Sequence, residues 1–242
     1  MSKLIVLIFL VVFSSIKTDE SSWIKFIKSF LQKNVDNKVL LSIMEMARKA
    51  DPHSYNNYEH NKVNFENHKE SIRRANGYIE DQHSYGDMKY GIKPLTYNGC
   101  GIIATYNALY DLTGDMNIDF PKMIDSYEKD GILVAGHFGT SMYAIEDFFK
   151  KNGFRTRSSY VMKDYEEIAN ECDAFVFTMY NNVEDIFDML HTVGISKKNG
   201  KFYIHNNGRG SASRAYDSIT DLITKINNGK AKDIILIGVY KK

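Results

Sequence analysis

Asn98-Gly99-Cys100-Gly101-Ile102-Ile103-Ala104-Thr105-Tyr106-Asn107-Ala108-Leu109-Tyr110-Asp111-Leu112 decides how this 242-residue chain is read. An Asn-Gly turn stands ahead of Cys100, and Ile102, Ile103, Tyr106, Leu109 and Tyr110 then form a broad apolar helical face that Gly114 ends. Cys100 is therefore expected at a helix N-terminus. Unpaired N–H groups and the positive end of the helix dipole stabilise a thiolate there, which predicts a thiol pKa lowered from about 8.5 by a unit or more.

C-terminal to this helix, Ile118 to Lys129 reads as a second one. Gly131 to Gly139 is a glycine-punctuated connection, in which His137 reads as a loop residue. Thr140 or Ser141 caps a helix carrying Ala144, Ile145, Phe148 and Phe149, closed by Asn152-Gly153. The hydrophobic period then changes. Phe154 to Met162 and the β-former run Ala174 to Tyr180 read as strands, with a helical turn at Asp164 to Asn170 between them. Met189 to Ser196 and Phe202 to Asn206 flank Lys197-Lys198-Asn199-Gly200-Lys201, a hairpin built on an Asn-Gly turn. A helix over Ile219 to Ile226 and a closing strand over Ile234 to Tyr240 complete the chain. Helices come first and strands later, so the expected class is α+β.

On the N-terminal side, Leu4 to Phe13 carries no polar residue and lies between Lys3 and the pair Ser14-Ser15. A basic start, a short apolar core and small residues behind it compose a secretory signal peptide, here residues 1–18, or a membrane anchor if uncleaved. The expected setting is secreted or extracytoplasmic. From Ser21 to Ala50, Trp23, Ile27, Phe30 and Leu31, then Val39, Leu40, Ile43, Met44 and Met46, mark two amphipathic helices broken near Asn34 to Asn37. Asp51 to Tyr90 is polar and weakly helical only at Ser71 to Glu80, which predicts a connecting stretch with little core. Residues 19–90 then form a helical and polar appendage, a pro-region or a lid, and residues 91–242 the main domain.

A net charge of +1 provides no field for nucleic acid or an anionic membrane surface. His53, His60, His68 and His83 match no metal-ligand spacing, so neither a metal nor a cofactor is implied. Cys100 and Cys172 in an exported chain first suggest a disulfide. Their unlike settings, a Gly-Cys-Gly turn and a site beside Asp173, make two free thiols at least as plausible as one bridge, with packing the favoured role of Cys172.

A nucleophilic thiol needs a base and a group to orient that base. His191 begins one hairpin strand and Asn206-Asn207 ends the other, so the hairpin brings an imidazole and a side-chain amide together across 15 or 16 residues. Cys100 then attacks a carbonyl, His191 takes and returns the proton, and Asn206 or Asn207 holds the ring in the useful tautomer. Asn206 directly ends the strand, with Asn207 behind it. His205 is the second choice of base.

Together these residues resemble papain-like cysteine peptidases, most closely the bacteriocin-processing, double-glycine-leader branch and its free-standing relatives, over roughly Pro94 to Tyr240. The resemblance implies a nucleophile-bearing helix packed on an antiparallel sheet. It also implies hydrolysis of a peptide or protein substrate through a thioacyl-enzyme, without a cofactor. Two positions depart from the branch. Its glutamine six residues before the nucleophile is Pro94 here, the nearest glutamine being Gln82, which leaves Asn98 with the Cys100 N–H as oxyanion candidates. Its usual third aspartate is asparagine, as in papain. Two alternatives stand beside the peptidase: a cell-wall peptide hydrolase or transpeptidase of the same fold, and a catalytically inactive binding or immunity module.

Overall fold

A computed structural model describes residues 36–51, 53–72, 76–84, 87–115, 117–180, 190–208, 214–226 and 232–241. The expected signal peptide and the first amphipathic helix, with Trp23, Ile27, Phe30 and Leu31, lie outside these residues.

Two helices lead the described chain, α1 (Asn37–Ala50) and α2 (Tyr58–Ile72). A short antiparallel pair, β1 (Lys89–Tyr90) with β2 (Lys93–Pro94), then delivers the chain to α3 (Leu95–Asn98) and α4 (Cys100–Thr113). Helices α5 (Phe120–Asp130) and α6 (Met142–Lys151) follow. The remaining elements are β3 (Arg155–Ser159), α7 (Tyr165–Glu171), β4 (Ala174–Tyr180), β5 (Leu190–Lys198), β6 (Lys201–His205), α8 (Ile219–Lys225) and β7 (Lys232–Tyr240). The last five strands form one sheet in the order β3-β7-β4-β5-β6, antiparallel at every pairing. The class is α+β.

Every residue of β4 is buried, because helices cover both faces of the sheet. Its pleat divides the core. Ala174 and Val176 pack in one cluster with Leu41, Ile102, Ile103 and Ile145, whereas Phe175, Phe177 and Met179 pack in another with Ile168, Phe202 and Leu222. On β5 the first face carries Thr192, Gly194 and Ser196. A Cβ on Gly194 would stand 2.9 Å from the Asn107 Cβ, so the missing side chain lets α4 lie close against the strand. The hairpin register is fixed by Asn199 (φ 52°) and Gly200 (φ 74°), both left-handed as a two-residue primed turn requires.

The stretch from Asp51 to Tyr90 departs from expectation. Phe65, Ile72, Tyr78, Ile79, Met88 and Tyr90 are all buried, and most of them join the cluster that holds Ile102 and Ile103. Core formation therefore does not begin near Tyr90. Helix occupies Tyr58–Ile72, whereas residues 78–81, within the expected weak helix or just past it, belong to no helix or strand. One asparagine of the stretch, Asn61, is buried and, with Asn107 of α4, takes the place of backbone pairing partners. Asn61 accepts from the Lys89 N–H at 2.7 Å and donates to the Lys89 carbonyl at 2.8 Å, and Asn107 does the same for Ile79 at 2.8 Å each way. An extended strand edge is satisfied by side chains, which composition does not reveal.

Candidate active site

Cys100 is the first residue of α4, but the helix start is not abrupt. Gly99 (φ −81°, ψ 0°) continues the turn of α3, donating to the Leu95 carbonyl at 2.8 Å and accepting from the Ile103 N–H at 3.0 Å. The flanking glycines answer to space rather than to a left-handed backbone. A Cβ on Gly99 would lie 2.6 Å from the Leu95 oxygen, and one on Gly101 would lie 2.8 Å from the Thr140 Cβ. Burial pushes the Cys100 thiol up, against opposing hydrogen bonds from the backbone and hydroxyl of Thr192 and the backbones of Gly101 and Cys100. The expected lowering is thus reversed: loss of solvent outweighs the helix start, and the resting group is a thiol.

His191 lies near the start of β5, opposite Met179. Its Nε2 is 2.6 Å from the backbone carbonyl oxygen of Asn206. A carbonyl can only accept, so the ring hydrogen is on Nε2 and the lone pair is on Nδ1. Burial lowers the pKa of His191, with the Asn206 carbonyl acting in the opposite sense, so the ring is neutral near pH 7. Among the described residues no hydrogen bond joins Cys100 to His191. The sulfur instead meets Thr192, the next residue along β5. Thr192 is held in turn by the Thr178 hydroxyl at 3.0 Å.

Asn206 enters the site by a different atom from the one expected. Its carbonyl, not its amide, meets the imidazole, and its backbone is left-handed at φ 62°. The side chain turns toward Gln82: Nδ2 donates to the Gln82 Oε1 at 3.3 Å, and Oδ1 accepts from the Gln82 N–H at 3.1 Å. Gln82 Nε2 donates to the Thr96 carbonyl in α3 at 3.0 Å. Asn207 is half-buried and makes no hydrogen bond among the described residues. Asn98 is buried, and both its amide hydrogens are engaged, by the carbonyls of Tyr90 and Gly136 at 2.9 Å each. It has no donor left for an oxyanion.

His205 faces α4, opposite Gly194. Nδ1 is 2.8 Å from the Glu80 Oε1 and Nε2 is 2.8 Å from the Ser196 Oγ, and the ring stacks on Tyr78 at 3.8 Å between centroids. The order serine, histidine, carboxylate is that of a hydrolytic triad. Here Ser196, His205 and Glu80 are 1%, 4% and 3% exposed under the Tyr78 ring, so no substrate reaches them and the array is a buried structural clasp.

Cys172 is a buried free thiol in the second core cluster, and its Sγ would lie 2.6 Å from a Cβ on Gly238. Cys100 is likewise unpaired. His137 is buried in the loop before α6, and His53 is held between the carbonyls of Arg48 and Glu128 at 2.8 and 3.2 Å. Among the described residues no cluster of three metal-ligating side chains occurs.

Glu80, Gln82 and Thr192 are the site residues that spacing does not identify. The alternation of Thr192, Gly194 and Ser196 does mark a strand face shaped for close helix approach, whereas nothing local to Glu80 or Gln82 signals its destination. No protein-family model, curated protein or solved structure matches the chain.

Proposed function

We propose that the chain is a cysteine peptidase of papain-like type, acting on a peptide or protein substrate through Cys100 and His191. One observation carries this reading: the Cys100 sulfur rests on Thr192, and the adjacent His191 is tethered through Nε2, so that its basic Nδ1 is left to take a proton. Along β5 His191 alternates with Thr192, so the reaction requires the imidazole to swing at the strand start until Nδ1 reaches the thiol. Nδ1 removes the thiol proton as Sγ attacks the scissile carbonyl. It then gives that proton to the leaving amine, and water hydrolyses the thioacyl-enzyme with the same base. The Cys100 N–H and the second amide hydrogen of Gln82 are the donors proposed for the developing oxyanion. The apolar N-terminal run supports an extracytoplasmic setting for this reaction.

A second reading, a non-catalytic binding module of the same fold, is favoured by the half-buried neutral thiol and its missing hydrogen bond to His191. Alkylation followed by peptide turnover separates the two. The peptidase reading expects saturable cleavage of a peptide library, abolished in Cys100→Ala and His191→Ala, together with alkylation of Cys100 that slows in His191→Ala. Alkylation no faster than that of a free thiol, unaffected by His191, rejects it. Peptide and cell-wall fragments as alternative substrates divide the hydrolytic readings.

A further inference from the structure

The two halves of the candidate site come from distant parts of the chain, α3 and α4 on one side and the end of the hairpin on the other. We propose that the segment Glu80–Gln82 is a positioning strap that ties these halves together and fixes the tautomer of His191 by holding Asn206. The proposal rests on the peptidase reading for its purpose but not for its geometry.

Glu80 uses both carboxylate oxygens on consecutive residues. Oε1 holds the His205 ring nitrogen at 2.8 Å, and Oε2 accepts the Asn206 backbone N–H at 3.2 Å. Two residues on, Gln82 exchanges hydrogen bonds with the Asn206 side chain at 3.1 and 3.3 Å and reaches the Thr96 carbonyl at 3.0 Å. Asn206 is therefore gripped at its N–H and at both polar atoms of its side chain. A residue held at φ 62° needs such support, because the left-handed region is unfavourable for a side chain other than glycine. Its remaining polar atom is the carbonyl, and that is the atom 2.6 Å from His191.

The grip thus directs one acceptor at one ring nitrogen, and Gln82 links it to the turn that precedes Cys100. Buried polar pairs are often indifferent for stability, so the Glu80–His205 hydrogen bond is better explained by the conformation it specifies. Tyr78 stacked on His205, with its hydroxyl 2.5 Å from Asp111, anchors the N-terminal end of the strap to α4.

Nitrogen NMR of the His191 ring in the intact chain tests the strap directly, since the two ring nitrogens give widely separated signals when one tautomer dominates. Wild type is expected to show the hydrogen on Nε2. Gln82→Ala removes the least buried part of the strap, and Glu80→Gln leaves either His205 or Asn206 without its acceptor. In each variant that stays folded the two signals are expected to move toward one another. Alkylation of Cys100 at neutral pH is expected to slow about tenfold, part of the 10²–10⁴ that a positioned base contributes. Unchanged His191 signals in folded Gln82→Ala overturn the proposal whether or not Glu80→Gln folds. Signals that shift in a chain that cleaves no peptide uphold the strap and reject the peptidase, so the two ideas fail separately.

Discussion

His191 Nε2 and the Asn206 backbone carbonyl oxygen are 2.6 Å apart, which makes a main-chain atom the orienting group of the candidate base. Truncating a side chain therefore does not remove that group, and its direction depends on how Asn206 is held. The imidazole itself has no such substitute. His191→Ala is expected to cost 10²–10⁴ in peptide turnover while lowering stability by only about 1 kcal/mol, the worth of one hydrogen bond. Turnover measured beside denaturant unfolding checks both halves.

The pH dependence follows from two opposed shifts. Burial holds His191 below its ordinary 6.5, so its neutral, basic form persists to lower pH and the acidic limb of a turnover profile should lie below 6.5. Burial raises the Cys100 thiol above its ordinary value, so labelling by a small alkylating reagent should still be rising at pH 9.0, where an exposed thiol is already mostly ionised. Stability moves the same way. Below pH 6.5 the unfolded chain protonates His191 before the folded one does, and above pH 9.0 it ionises Cys100 first, so both groups reduce stability outside that window. A denaturation midpoint that is flat across pH 5 to 10 on the order of these values contradicts the assignment.

Gly194 should tolerate no side chain. A methyl group there would stand 2.9 Å from the Asn107 Cβ and 3.3 Å from the Ala104 carbonyl oxygen, forcing α4 off β5. Gly194→Ala is expected to destabilise by about 1–3 kcal/mol, the usual cost of overpacking, and to change the alkylation rate of Cys100 by displacing it from Thr192. Urea titration and thiol labelling on the same sample measure the two effects.

Asn98 separates a structural role from a catalytic one. Asn98→Ala removes one donor from each of the Tyr90 and Gly136 carbonyls, at about 1 kcal/mol each, so the expected result is a lowered melting temperature with the turnover number of the folded fraction little changed. An oxyanion donor would instead cost about 10²–10³ in turnover with stability retained. Thermal unfolding and active-site titration decide between them.

The two cysteines should also be told apart by reactivity. Cys172 is 1% exposed, and burial pushes its thiol up to about 11. Cys100 is half-buried at the start of α4. Mass spectrometry after brief alkylation of the native chain should find the label on Cys100, with Cys172 labelled only after unfolding. Equal labelling of both would remove the reason to single out Cys100.

Local chemistry alone determined a good part of this protein. The apolar face after Cys100 makes α4, the Asn199-Gly200 turn sets the β5–β6 register, and the β-formers from Ala174 to Tyr180 mark a strand. Each depends on neighbours a few residues away, and periodicity records such neighbours. The polar stretch before Tyr90 was misleading because distant side chains satisfy its backbone, as Asn107 does for Ile79 across 28 residues.

Tertiary structure decided the rest of the site. Glu80 and Gln82 meet Asn206 across 126 and 124 residues, and no local pattern encodes such a pairing. The sulfur's ionisation was decided there too. A helix start favours the thiolate from sequence alone, but the desolvation that wins at Cys100 depends on how closely the rest of the fold, Thr192 of β5 included, packs around it, and only the folded chain sets that.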